Sequence, residues 1–346
     1  ASAPVRPSIS VLIVAWNSGT ELRRLLPPLL AELRDGDELI VVDNDSPDHS
    51  AAVVAELAPR AQVVTMGRNL GFAGGVNVGS TAATGDLLVI LNPDAIPQPG
   101  WGGAIRRPWL EGRGWSAWQG LVAQGDLRTI NSADNPVHFT GLVWSGMHDE
   151  PIEAAPAPGE VVSLSGACLA VPLEVWRRHG GFAPKFFMYH EDVDLALRLR
   201  LAGEMTAIEP TAVVAHDYEF TASAGNKYRW LERNRLAMLV RLYPASLLLL
   251  LAPALLVTEV ALLLAAVVGG WGGQKLRANV EFVAWLPRLL RERRAIERQR
   301  TISASEFAAA LTPDLNSPFI PEVVRSTPAR LALRTYWRLV RALLPR

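Results

Sequence analysis

Three carboxylates fall within four residues of one another in the run Tyr189-His190-Glu191-Asp192-Val193-Asp194. They stand just ahead of VDLALRLRLAG, whose apolar spacing predicts a helix over 193–203. A helix N-terminus stabilises acids, so capping accounts for one or two of the three. It does not account for the bulky residues Phe186, Phe187, Met188 and Tyr189 that lead directly in. A carboxylate with an apolar flank loses hydration, its pKa rises, and it becomes suited to general-base work.

Four further constellations carry possible chemistry. VVDNDS (41–46) puts Asp43 at a strand end, where it can accept hydrogen bonds from a nucleobase imide or a ribose hydroxyl, or simply cap a helix. LNPDA (91–95) puts Asp94 just past a strand beside Asn92. A carboxylate there can hold a divalent ion bridging a nucleotide diphosphate, and the same residues also favour a β-turn. RNLGFAGGVNVGS (68–80) brings Gly71, Gly74 and Gly75 to the entry of a helix, where close backbone approach and the helix N-terminus suit a phosphate. Its spacing is that of neither a P-loop nor a dinucleotide fingerprint, and a tight loop packed on a sheet explains it equally well. His216 ends the strand VVAH; a lone histidine is more often structural, but paired with Asp94 it could complete a metal site. A dinucleotide-binding reading needs G-x-G-x-x-G after the first strand, and AWNSGTEL offers only Gly19.

The elements that must position these residues alternate. SISVLIVAW (8–16), ELIVVDN (38–44), AQVVTM (61–66) and DLLVILNPDA (86–95) read as strands. Helical patterns fall between them at 21–33, near 48–58 and at 76–83. Short apolar strands separated by helices predict an α/β, doubly wound, mostly parallel, Rossmann-like sheet. Such sheets bind ligands at the carboxyl ends of their strands, which is where Trp16-Asn17, Asp43-Asn44-Asp45 and Asn92-Pro93-Asp94 fall. From 96 to 160 the pattern loosens into mixed short strands and loops. A strand follows at 161–172, a helix at 173–180, and two short strands at 206–210 and 211–216.

The last third is different in kind. ASLLLLLAPALLVTEVALLLAAVVGGW (245–271) is apolar on every face and exceeds the roughly 20 residues a bilayer span requires. The formal net charge is +0, but residues 226–346 hold 19 Lys/Arg against 8 Asp/Glu, leaving the rest of the chain acidic to the same extent. A basic third around an apolar segment suggests an anionic membrane surface or an anionic lipid substrate. Arginines crowd both flanks of 245–271, where a single span should show asymmetry. A peripheral hairpin bent at Pro253, a re-entrant segment and a single span all remain open. The expected domains are 1–225, catalytic, and 226–346, helical and membrane-associated. The lone Cys168 excludes an internal disulfide and fits a reducing cytoplasm, and ASAPVRPS, leading straight into a strand, gives no expectation of a signal peptide. The basic residues lack interleaved aromatic platforms, so no nucleic acid is expected.

Taken in order, SVLIVAWN, VVDNDS, NLGFAGGVNVGS, LNPDA, GGFAPKFFMYHEDVDLALRLRLAG and VVAH resemble the inverting family 2 glycosyltransferases with a GT-A fold. The likeness covers about residues 8–220 and is closest to the bacterial rhamnosyltransferase-like branch. RNRLAML (233–239) and RLLRERRAIERQR (288–300) also look like the membrane-proximal extension of that branch. The resemblance implies nucleotide contacts at Ala15, Trp16, Asn17, Asp43, Asn69, Gly71, Gly75, Asn77, Asn92, Pro93 and Asp94. It implies Asp192 as general base with Glu191 beside it, Asp194 as a helix-start residue, and a divalent Mg2+ or Mn2+ at Asp94 and His216. Asn92 departs from the pattern, since many relatives have Asp there, which puts more of the metal's ligation on the substrate. The implied activity moves a sugar, most simply rhamnose from dTDP-rhamnose, onto a polyprenyl-pyrophosphate-linked or cell-surface glycan acceptor at the cytoplasmic face of the membrane. Two readings compete: a UDP-hexose or UDP-galactofuranose donor on the same fold, and a catalytically silent nucleotide-binding membrane scaffold.

Overall fold

The computed structural model describes residues 7–216, 226–317 and 325–345. They divide into two compact units, the first drawn from Ala1–Asp134, Gly146–Ala196 and Glu204–Phe220, the second from Asn135–Ser145, Leu197–Gly203 and Thr221–Arg346. The segments Asn135–Ser145 and Leu197–Gly203, expected in a contiguous first domain, cluster with the second unit.

The first unit is built on a ten-stranded sheet. Strands β1 (Ile9–Ala15), β2 (Glu38–Asp43), β3 (Gln62–Thr65) and β4 (Leu87–Leu91) run parallel in the order β3-β2-β1-β4. Every residue of β1 and β4 is buried, so neither strand alternates in hydrophobicity. Helices α1 (Gly19–Glu32), α2 (Ser50–Leu57) and α3 (Gly71–Gly79) make the crossovers. β5 (Ala95–Pro97) and two helical turns, α4 (Trp101–Ala104) and α5 (Arg107–Leu110), follow.

Beyond β4 the α/β sheet continues with antiparallel as well as parallel pairings. β6 (Ala117–Gln124), β7 (Ile130–Ser132), β8 (Gly159–Glu160), β9 (Cys168–Pro172) and β10 (Thr206–His216) complete it. β9 lies between β4 and β6 and is antiparallel to both, whereas β6 and β10 are parallel. The two short strands expected at 206–216 are one strand with a register shift between Glu209 and Val213, which accommodates Pro210. The expected strand at 161–172 is confined to its last five residues.

Two helices pack near the acidic run: α6 (Leu173–His179), stopped by Gly180 at φ +69°, and α7 (Glu191–Leu201), which starts on the acids themselves.

The second unit is helical. Helices α8 (Lys227–Leu242), α9 (Ala245–Val268), α10 (Gly272–Gln299) and α11 (Ala304–Ala309) precede a last helix, Thr327–Leu343. The apolar stretch is one continuous helix through Pro253, and the turn to α10 comes at Gly269–Trp271, with Gly270 at φ +73°. α8 packs along α10 through a buried charge cluster. Arg235 of α8 bonds Glu232, Glu259 of α9 and the Thr140 carbonyl, and Lys275 of α10 bonds Glu232 and Glu259. Burial opposes ionisation of Glu232, but the charges of Arg235 and Lys275 outweigh it and hold the carboxyl at about 2.

Candidate active site

Register brings the first pair of predicted residues together. Ala15 at the end of β1 lies opposite Asp43 at the end of β2. The Ala15 carbonyl accepts from the Asn44 amide at 2.9 Å. Trp16 emerges 52% exposed, an unusual state for so large a ring, and Asn17 turns the chain at φ +54°. Asp43 Oδ1 accepts from the Ser46 amide at 3.0 Å, so one oxygen holds the local turn.

A second pairing unites residues 122 positions apart. β10 runs antiparallel to β5 with His216 opposite Ala95. Asp94, one residue earlier, thereby meets His216, with Nε2 3.1 Å from Oδ1. Burial acts to raise the Asp94 carboxyl, but the hydrogen bond and charge of His216 outweigh it and leave the group below its ordinary value. Oxygen and imidazole nitrogen side by side are a donor set that fits Mg2+ or Mn2+. Among the described residues no group of three or more His, Cys, Asp and Glu could hold a metal.

The acidic run is tied to the same strand ends by two hydrogen bonds. Asp192 Oδ2 accepts from the Gly166 amide at 2.9 Å. The next residue, Ala167, accepts from the Asn92 amide at 3.1 Å. Buried Gln119 of β6 steadies this bridge, accepting from the Ser165 amide at 2.8 Å. Burial pushes Asp192 above its ordinary value against the hydrogen bonds from Gly166 and Val193. Glu191, 5% exposed, is pushed well above its ordinary value by burial and then by the Asp192 charge. Asp194 is fully buried within α7.

The glycine-rich segment makes its contacts with the chain itself. α3 starts at Gly71 (φ +72°), where a Cβ would collide with the carbonyl and ring of Phe187. A Cβ at Gly75 would strike Val14 of β1, and one at Gly79 would strike Leu12 and Val42. The helix N-terminus receives a protein carbonyl: Ala73 donates to Phe187 at 3.0 Å. Asn77 makes a two-way clamp, donating to the Phe182 carbonyl at 2.8 Å and accepting from the Phe182 amide at 2.9 Å. Asn69 accepts from the Gly71 amide at 2.7 Å and from Asn44 at 3.0 Å. Of the residues expected at the nucleotide, Gly71 and Asn77 contact the segment that leads to Asp192, while Asn69 and Gly75 meet Asn44, Gly71 and Val14. The loop that Gly71 and Asn77 hold needs support: Phe187, Tyr189 and His190 sit at φ +68°, +67° and +67°. Such conformations cost of order 1–3 kcal/mol each unless the surroundings enforce them.

The loop-holding role of Asn44, and Gln119 and Gly166 altogether, escaped the sequence reading. Asn44 sits inside the VVDNDS motif, so a polar residue beside Asp43 was the available signal; Gln119 lies in the stretch without a period, and Gly166 lies in a run expected to be strand.

A family model described as Glycosyl transferase family 2 matches residues 10–144. N-acetylglucosaminyl-diphospho-decaprenol L-rhamnosyltransferase of Mycobacterium tuberculosis is 28% identical over 241 residues, 60% of this chain and 75% of that protein. Pre-mycofactocin glycosyltransferase of the same organism is 31% identical over 223 residues, 63% of this chain and 44% of that protein. Among solved structures, GalNAc-T7 with UDP, GalNAc and Mn2+ superposes with a TM-score of 0.59 at 16% identity. That match covers 70% of this chain and 49% of GalNAc-T7, and it establishes a GT-A-like fold.

Proposed function

We propose that this glycosyltransferase, whose family 2 domain spans residues 10–144, moves a sugar from a nucleotide donor to a lipid-linked acceptor by a single inverting displacement. The observation that supports the reading is the hydrogen-bonded chain Asp192–Gly166-Ala167–Asn92, which links the partly buried Asp192 carboxylate to the loop that carries Asp94, itself paired with His216. Trp16 and Asp43 at the ends of β1 and β2 would hold the nucleoside, with Ala15, Asn17, Asn92 and Pro93 around it. Asp94 and His216 would hold the divalent ion, Mg2+ or Mn2+. When bound, such an ion supplies positive charge against the leaving nucleoside diphosphate.

Asp192 does the proton chemistry. Its carboxylate takes the proton from an acceptor hydroxyl as that oxygen bonds to the anomeric carbon. The bond from that carbon to the diphosphate oxygen breaks on the opposite face, and the electron pair leaves with the nucleotide. Asp192 then returns the proton to solvent. Burial supports the role, because a desolvated carboxylate is a stronger base than a hydrated one.

The donor favoured is dTDP-rhamnose, by likeness to the decaprenol-linked rhamnosyltransferase. UDP-hexose and UDP-galactofuranose are the alternatives, since the sugar pocket would be shaped by the irregular region 96–160, which carries no motif that selects a donor. The deciding experiment supplies the full chain with a panel of nucleotide sugars and a polyprenyl-pyrophosphate-linked N-acetylglucosamine. Turnover of dTDP-rhamnose, lost in Asp192→Asn with nucleotide binding retained, is the expected result. No turnover of any donor would leave the nucleotide-binding scaffold, and equal turnover by Asp192→Asn would remove Asp192 as base.

A further inference from the structure

α9 presents to solvent Leu249, Leu256, Val260, Leu264 and Val267, between 52% and 76% exposed. The exposed positions of this helix carry no charged side chain, and only Leu247, Leu251 and Ala266 are buried. α10 continues the pattern over its first half with Leu276, Val280 and Val283, all exposed. A surface of this extent is not left to water by a soluble protein. Exposed Arg277, Arg291, Arg294 and Arg298 border it and extend beyond it along α10.

α9 is long and apolar enough to cross a membrane, yet its own contacts oppose that placement. Glu259, in the middle of the helix, bonds Arg235 of α8 and Lys275 of α10. A 24-residue helix is about 36 Å long, against a hydrocarbon core of about 30 Å. Set across the bilayer, it would carry this cluster to mid-membrane, together with two neighbouring helices dense in arginine and glutamate. Charges at that depth are costly, and α8 and α10 are too polar to follow.

We propose that α9 and the first half of α10 form a hairpin that lies in the plane of an anionic bilayer surface, apolar stripe downward, without crossing it. Charge selects the occupant. The 226–346 region has 19 Lys/Arg against 8 Asp/Glu, so a second copy would meet like charge, whereas an anionic lipid surface attracts it. The embedding depth of such helices is about 5–10 Å. This docking rests on the second unit alone and holds whatever the donor sugar is, so its test needs neither donor nor acceptor.

The test floats the full chain with vesicles of phosphatidylcholine, with and without phosphatidylglycerol. Leu249→Cys, Val257→Cys and Val268→Cys each carry a fluorophore read against chain-brominated lipids. Expected are binding strengthened by phosphatidylglycerol, and equal, shallow quenching at all three positions. Leu264→Glu, at a 62% exposed site, should retain its circular dichroism and lose about tenfold or more in vesicle binding. Arg277→Glu should lose binding only where phosphatidylglycerol is present. Deep quenching at position 257 with its ends on opposite leaflets would mean a span and overturn the proposal. Absence of quenching, with Leu264→Glu turning a dimer into a monomer, would overturn it in favour of a second copy.

Discussion

Asp192 and Glu191 are adjacent acids with different fates. Burial lifts both, but Asp192 is offset by the Gly166 and Val193 amides, whereas Glu191 has the Asp192 charge added to its burial. Asp192 is therefore the more readily ionised of the two, with Glu191 raised further by the charge beside it. Two outcomes follow from the signs. As a base, Asp192 acts when deprotonated, so kcat/KM should rise with pH and its acidic midpoint should lie above the ordinary aspartate value of 3.8. A pH–rate profile with a midpoint at or below that value would argue against Asp192. Glu191 has a folded-state pKa raised above its unfolded value of 4.5, so the stability it lends is full below that value and is lost as pH rises. Glu191→Gln should leave Tm unchanged near pH 4 and raise it near pH 8, by about 2–4 °C for each kcal/mol recovered. It should also keep most of the turnover, because the glutamine keeps the size of the acid and removes a charge that burial opposes. The cluster of acids was legible in the sequence; the division of labour was not, because it depends on a Gly166 amide arriving from 26 positions away.

α3 shows how a glycine-rich turn owes its composition to the chain packed around it. Glycines weaken a helix by about 1 kcal/mol each, so a helix starting at Gly71 is not what local propensity predicts. The sheet requires it, since Cβ atoms at 75 and 79 would enter Val14, Leu12 and Val42. The strands β1, β2 and β4 were legible from continuous apolar runs. β6 was not, because AWQGLVAQ holds a glutamine and a glycine, and its place between β9 and β10 is fixed by pairings 50 or more positions distant. Asn77 offers the test of what α3 does. Asn77→Ala removes both bonds to Phe182 and loosens the strained loop ahead of Asp192. It should lower kcat by about 10²-fold while nucleotide affinity, measured by titration calorimetry, stays within a few-fold. A loss confined to nucleotide affinity would return Asn77 to the nucleotide. Gly71→Ala, forced against Phe187, should cost stability as well as kcat, by about 1–3 kcal/mol in chemical unfolding.

At the scale of the whole chain, the acidic and basic portions cancel to +0, which hides the charge asymmetry from any bulk measure such as the sequence pI of 7.3. The composition did make the asymmetry visible once the chain was divided near residue 226. The two excursions, Asn135–Ser145 and Leu197–Gly203, that join the second unit were invisible for the opposite reason: neither differs in composition from what surrounds it. One interior detail bears on how the molecule can be observed. Cys168 lies fully buried in β9, accepts from the Trp101 indole at 3.4 Å, and has its thiol pushed up to about 11 by burial. The native chain should therefore consume no Ellman's reagent at pH 8 and one equivalent after denaturation; rapid native reaction would contradict the burial. The chain is thus chemically blank to thiol probes, so a cysteine placed anywhere on its surface reports that position alone. Run in reverse, the slow appearance of the hidden thiol becomes a clock for the opening of the sheet.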